Sequence, residues 1–460
     1  MNEIHAPGRR NAIERMMGLL AEVRAGEGTT ALLMTLNIFL ILAAYSLLKP
    51  LREGLMSSIA GWAEMSSYLS AAMALLLIPT VKLYGNVARR YPRRKLISFV
   101  TAFFISNLAA FYLLLKLDVP GLGILYFVWL GIFNNMIIAQ FWAYGNDLYE
   151  PSQGKRLFPV IQLGGAVGAI VGPLLASRTA HLATGDLLLA AGFVLTLCIG
   201  MTNWIDWRSR STVSSRQNAV AKRALGLEGG FQLIWKSRYL LYLALLILVL
   251  NWVNSNGEYI LRRIVAGAAD HHVAALGLDR AAGEGELEAA RFVRYFYADF
   301  QFWQNLLVLL LQAFVVSRIL RFLGVARSVF LPALLALVGY GFMAFLPILA
   351  IVRTAKIIEN ADDYSLMNTL RAALFLPTSR EMKYKAKQAI DTFFVRSGDV
   401  AHALTVAAGS GLALRAEGFA RLTLCLVLIW LGLAWFLARE HRKLTVKPAP
   451  GAAEPDLLRD

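Results

Sequence analysis

The apolar runs of this chain are long and numerous enough to dictate its solvent. Segments of helix-spanning length recur at about 31–52, 64–84, 96–116, 121–145, 157–177, 186–206, 239–262, 295–319, 327–346, 347–376, 386–412 and 418–438. Roughly 20 consecutive apolar residues cross a bilayer as a helix, and lipid tolerates only structures that satisfy their own backbone polar groups. The expected fold is therefore an all-α membrane protein with twelve transmembrane helices. The tenth and eleventh segments are the most polar of the set. Composition agrees, since 57% of the 460 residues are hydrophobic and 17% are charged, where soluble domains carry about a quarter charged residues.

Loop charges set the expected orientation. Basic clusters follow the second, fourth, sixth, eighth, tenth and twelfth segments: Arg89, Arg90 and Arg93 to Lys95; Lys155 and Arg156; 208–238; Arg318, Arg321 and Arg327; Arg380, Lys383, Lys385 and Lys387; then Arg439, Arg442 and Lys443. The intervening connections lack them. By the positive-inside rule both termini are cytoplasmic, which requires an even number of spans. The net charge of +16 is thus a loop property of a multi-pass bacterial inner (plasma) membrane protein, with the lipid bilayer and not a nucleic acid polymer as its partner. Residues 1–30 show no charged-then-apolar leader, so the first span is expected to do the targeting. The two cysteines, Cys198 and Cys425, sit inside apolar runs and read as small core residues. The loop 263–294, with its adjacent His271 and His272, reads as solvated and non-metal-binding.

The longest cytoplasmic connection divides the chain. The expected organisation is a six-helix bundle over 1–206, a linker over 207–238, a second six-helix bundle over 239–440 and a disordered tail over 441–460. Such a layout suits transporters with a site at the bilayer midplane.

Polar residues inside spans carry the chemistry, because an ionisable group in lipid must face protein or a watery path. Lys49 and Arg52 close the first apolar run. With Tyr45 they occupy one helical stripe, which would suit an anion; the bland reading pairs Lys49 with Glu53, four residues on. Span seven places Asn251, Glu258 and Arg262 on one face. Span ten aligns Lys356, Asn360, Asp363 and Arg371, with Glu359 beside them. In span eleven Asp391, Asp399 and His402 share a half-face, with Arg396 at its edge. An Asp–His proton relay and a simple Arg396–Asp399 pair both fit that pattern. Span four carries the amides Asn134, Asn135 and Gln140, which interhelical hydrogen bonding would explain. Gly164, Gly168 and Gly172 recur every fourth residue, the pattern of close helix packing. No phosphate loop, zinc signature or nucleophile elbow occurs, so neither an enzyme nor a nucleotide-driven pump is expected, and no metal or cofactor is implied.

Three stretches resemble the nucleotide transporter family, the ATP/ADP translocases of plastids and intracellular bacteria. They are 141–146 with 154–168, then Tyr384 to Asp391 with Ser397 and Gly398, and lastly Tyr45 to Glu53. The likeness runs in order from about 35 to 405 and implies a major-facilitator-like fold. It also implies nucleotide binding by a cation in span one, acids in spans four and seven, and a cation in span ten. Arg52, Glu258 and Arg371 match three of these; the span-four acid has no counterpart around Leu130.

The expected function is a secondary transporter resembling ATP/ADP antiporters. Lys49, Arg52, Glu258 and Arg371 are expected to bind an anionic, phosphate-bearing solute at midplane by alternating access. Lys356, Asp363, Asp391, Asp399 and His402 are expected to couple or gate, in a monomer. The alternatives are a proton-coupled facilitator of another organic anion and a non-transporting scaffold or receptor.

Overall fold

The computed structural model describes residues 14, 23–24, 26–90, 93–209, 229–280, 283–379 and 381–445. Most of the 207–238 linker, the 446–460 part of the tail, and the loop residues Tyr91, Pro92 and Arg380 lie outside the described residues.

The described chain is helical throughout. Its elements are α1 (Gly28–Met56), α2 (Trp62–Arg90), α3 (Arg93–Lys116), α4 (Leu122–Leu148), α5 (Pro151–Arg178), α6 (Thr184–Ser209), the short α7 (Gly230–Lys236), α8 (Arg238–Ala275) and α9 (Gly283–Leu310). A π turn (Leu311–Val315) joins α9 to α10 (Val316–Ser328), followed by α11 (Phe330–Phe345) and α12 (Leu349–Asp362). A second π turn (Asp363–Met367) leads into α13 (Asn368–Leu374). The π turns Met382–Ala386 and Ile390–Phe394 flank α14 (Lys387–Ala389) before α15 (Val395–Gly411), and α16 (Ala416–Thr445) ends the set. Among the described residues, eight helices are long and apolar enough to cross a membrane, so the chain is a multi-pass membrane protein.

Two sequence expectations are corrected here. The stretch 263–294 is not an open loop: α8 runs on to Ala275 and α9 begins at Gly283, leaving a short connection. Their 3.6-residue periodicity simply outlasts the apolar run. Likewise Arg318, Arg321 and Arg327 lie on α10, where the helix breaks at Gly324 with φ 72°, a conformation that a residue without a Cβ adopts at little cost. Of the two cysteines, Cys198 is buried but Cys425 is exposed on α16.

The chain groups into two compact units. One comprises Met1–Ile59, Leu76–Val220 and Glu286–Phe302; the other comprises Ala60–Leu75, Ala221–Gly285 and Trp303–Asp460. In the first unit α1 is the hub, packed on α4, α5 and α6. The α1–α5 contact explains the glycine repeat. A methyl group on Gly164, Gly168 or Gly172 would overlap the backbone carbonyls of Thr35, Phe39 and Ala43 respectively, so the two backbones meet where only hydrogen fits. Gly168→Val should therefore abolish recovery of monodisperse protein in detergent, whereas Gly200→Ala, with open space around its position, should leave it unchanged.

The foot of α1 is tied by charge. Glu27, just outside the span, accepts from Arg156 Nη2 at 2.9 Å and Nη1 at 3.2 Å, from Gln153 at 3.2 Å and from the Arg24 backbone N–H at 3.0 Å. Burial opposes the charged form, but these donors outweigh it and hold the Glu27 carboxyl below the usual carboxylate range. A carboxyl with a lower pKa folded than unfolded contributes stability above its unfolded pKa, near 4.3, and loses it as pH falls through the folded value. Glu27→Gln should accordingly lower the melting temperature at neutral pH, leave it little changed in acid and so flatten the fall between them.

In the second unit α8 takes the hub position, packed on α12, α15 and α16. The N-terminus of α8 is capped by Ser237, whose hydroxyl accepts from the Leu240 N–H at 3.4 Å, satisfying one of its orphan donors.

Candidate functional site

The polar stripes of spans seven and ten meet inside the second unit. Lys356, on α12, is completely buried. Its ammonium donates to Asn254 Oδ1 at 2.8 Å and lies 2.9 Å from Glu359 Oε2 and 3.6 Å from Glu258 Oε1. Asn360, one turn on from Lys356, donates to Glu258 at 2.8 Å and to Gln304 of α9 at 3.0 Å. From α11 the buried Tyr340 hydroxyl reaches both Glu359 oxygens and the Val253 carbonyl. This closeness depends on Gly257: a methyl group there would overlap the Tyr340 hydroxyl and come within 2.9 Å of the Lys356 side chain. A buried ammonium is stable only when paired and hydrogen-bonded, and three helices cooperate to achieve that here.

Sequence spacing exposed the Lys356–Asn360 stripe and placed Glu258 on α8, but it missed Tyr340, Gln304, Asn254 and Gly257 as members. Asn254 and Glu258 are four residues apart on one face, a signal that was present. Tyr340 belongs to an apolar helix and offered none; Gln304 stands among Asp299, Gln301 and Asn305 on α9, a polar signal that was present.

The first unit presents a different arrangement at the end of α1. Arg52 donates to Glu53, by Nε at 3.0 Å and more closely by Nη2, and its guanidinium lies over Phe127, 4.7 Å from the ring centroid. Glu53 is 1% exposed. The expected Lys49–Glu53 pair is therefore replaced by Arg52–Glu53: the guanidinium fork reaches back to its chain neighbour and takes the carboxylate. Half-buried Lys49 instead caps the Tyr45 ring at 5.0 Å, a cation–π contact. Among the described residues no carboxylate lies within ion-pair distance of it.

The α4 face near Lys49 and Arg52 is apolar. Leu130 is 1% exposed, Trp129 stacks on Phe133 at 5.3 Å, and Phe104 meets Phe133 edge-on at 5.0 Å. An acid at Leu130 would be buried among these rings. The amides of α4 do not bond across helices as expected: Asn135 donates to its own helix at Gly131, 2.8 Å away, and both polar atoms of buried Gln140 lack a partner.

The remaining candidates separate into local pairs. Arg371 lies 3.4 Å from Asp363, eight residues apart but aligned because the intervening π turn absorbs an extra residue. Asp391 pairs with Lys387 at the helix surface. Asp399 accepts from Asn251 at 2.8 Å, Ser255 at 3.2 Å and Arg396 at 3.1 Å. His402 Nδ1 meets Asn256 Oδ1 at 2.6 Å. Asp399 and His402 are not hydrogen-bonded to each other, since one helical turn points them at different residues of α8.

No protein-family model and no curated protein matches this sequence. Solved structures do. The nucleoside transporter NupG aligns over 91% of this chain and 100% of its own, with TM-score 0.57 and 11% identity. A bacterial homolog of the human lysosomal transporter Spinster, in an inward-facing and unoccupied conformation, aligns over 92% of this chain and 98% of its own, with TM-score 0.56 and 14% identity. A POT family transporter in complex with a thioalcohol-conjugated peptide aligns over 91% and 96%, with TM-score 0.57 and 12% identity. At these identities the likeness shows the fold, which is major-facilitator-like.

Proposed function

We propose that this chain is a secondary transporter for a small, phosphate-bearing organic anion, working by alternating access, with Lys49 of α1 as its anion-binding cation. Lys49 carries the reading. It is a half-buried cation in a membrane span with no carboxylate in ion-pair distance among the described residues, and such a group is costly unless an anion or water neutralises it. Arg52, Glu258 and Arg371, the residues indicated by the family resemblance, each already face a charge of opposite sign. In this reading Lys49 takes the ligand.

The proposal includes twelve spans in two six-helix bundles, adding the helical stretches 62–90, 330–345, 349–374 and 381–411 to the eight apolar ones. The alternating basic loops support cytoplasmic termini in a bacterial inner membrane. ATP/ADP exchange is the specific candidate, supported by the motif resemblance. NupG is described as a nucleoside transporter; a nucleoside lacks the phosphate, so the anionic part of the reading rests on Lys49 and the motif resemblance. Counterflow tests it: vesicles loaded with ADP should accumulate labelled ATP, and unloaded vesicles should not. Uptake of other phosphate esters but not ATP would keep the transporter and discard the nucleotide; no saturable uptake of any anion would discard both.

A further inference from the structure

A tyrosine hydroxyl has one hydrogen, and that of Tyr340 is surrounded by more acceptors than it can serve. Its oxygen lies 2.9 Å from the Val253 carbonyl and 3.0 and 3.1 Å from the two oxygens of Glu359. A carbonyl only accepts, and so does an ionised carboxylate. With Glu359 ionised, one of these close oxygen pairs holds no hydrogen and is repulsive in a low-dielectric interior. With Glu359 protonated the count closes. Glu359 Oε1–H donates to the Tyr340 oxygen, Tyr340 O–H donates to Val253, and Glu359 Oε2 accepts from Lys356 at 2.9 Å.

The carboxylates around Lys356 point the same way. Lys356 is the one ammonium facing two carboxylates, Glu359 and Glu258. The elements packed around it are α8, α11 and the π turn after α12. They contribute Asn254 and Glu258, Tyr340, and Asp363, the last already paired with Arg371, and α12 itself adds buried Asp362 three residues after Glu359. Arg262 lies one turn beyond Glu258 and Arg353 one turn before Lys356 along their own helices. Asn360 and Gln304 bring no charge. Glu359 and Glu258 share the one Lys356 ammonium, and a proton on Glu359 ends their competition for it.

We propose that Lys356, Glu359 and Tyr340 form a proton-binding site, with Glu359 holding the proton in this conformation and Glu258 competing for Lys356. On release, Glu359–COOH becomes Glu359–COO⁻ and a proton leaves the cluster. The Tyr340 hydrogen turns from Val253 to Glu359, and Lys356 becomes the counter-ion of Glu359. Glu258, with a side chain 26% exposed against 13% for Glu359, is the outlet. In a transporter this proton couples solute movement to the pH gradient, a step that rests on the function proposed above; the proton site itself does not.

Infrared spectroscopy of reconstituted protein tests the site directly. The wild type should show, at neutral pH, a carboxylic-acid carbonyl band of one group per chain that fades as pH rises. Glu359→Gln should remove it while folding normally, because its amide can donate to Tyr340 and accept from Lys356 as the protonated acid does. Glu258→Gln, which leaves Lys356 a single anionic partner, should move the fading of the band to lower pH. Identical bands in wild type and Glu359→Gln overturn the proposal, as does a band unmoved by Glu258→Gln. A separate arm measures anion uptake under an imposed pH gradient. Uptake by Glu359→Gln that keeps the wild-type dependence on the gradient overturns the coupling. Absence of uptake with the band intact sinks the transporter reading and leaves the proton site standing.

Discussion

Lys356→Met is expected to be the most damaging single substitution in the second unit, costing about 3–5 kcal/mol, the range for breaking a buried ion pair by removing one partner. Lys356 is fully buried, so its loss strands Asn254 Oδ1, leaves the Glu258 carboxylate without its ammonium and removes the donor to Glu359 Oε2. Methionine fills most of the volume, so the penalty is electrostatic and not a cavity effect. A double-substitution cycle separates the two causes. Adding Glu258→Gln to Lys356→Met should restore most of the loss, because removing both charges of a buried pair is often close to neutral. Thermal unfolding in detergent, followed by loss of monodisperse protein, reads the effect. If Lys356→Met melts like wild type, the ammonium is not held by the network described above.

The second large effect is functional. Lys49→Gln should reduce saturable uptake of a phosphate-bearing anion by about tenfold to a hundredfold, the equivalent of the roughly 1.5–3 kcal/mol of a hydrogen bond to a charged group. The variant should fold as well as wild type, since Lys49 is half-buried and touches a ring, not a carboxylate. Arg52→Gln should behave in the opposite way. It takes the guanidinium away from Glu53, 1% exposed, so the folded yield falls before transport is measured. Comparing both variants at equal amounts of folded protein in counterflow discriminates the roles. Uptake by Lys49→Gln equal to wild type would remove Lys49 from the site.

Most of the helical architecture was legible in the sequence because lipid imposes a simple rule: a segment that cannot bond its backbone internally cannot cross. The apolar runs placed each long helix to within a turn or two over much of the chain, with α8 and α9 as the exceptions. There the apolar run ends while backbone hydrogen bonding continues through polar residues such as Asp270 and Arg291, and hydropathy sees only the former. The glycine repeat of α5 was legible for a related reason, since small residues at every fourth position leave few alternatives to close packing.

Candidate site residues were recognisable as polar stripes, yet their partners were not. Helical periodicity says which residues of one helix share a face and nothing about which face of another helix meets it. Glu53 therefore suited Lys49, four residues earlier, as well as Arg52, and only the reach and planarity of the guanidinium decided for Arg52. His402 and Asp399 looked like one relay, until the rotation of α15 against α8 gave each its own amide.

From the residues alone follow a multi-pass all-α protein, the face of each span that carries charge, and the absence of enzymatic motifs. These are one-dimensional consequences of apolar length and helical period. The tertiary structure decided which charges cancel. It spent Arg52 on Glu53 and left Lys49 without a carboxylate among the described residues, and it set one ammonium between two carboxylates beside a tyrosine with a single hydrogen. In a low-dielectric interior those pairings depend on ångström-scale distances between separate helices, and no spacing along one chain encodes them.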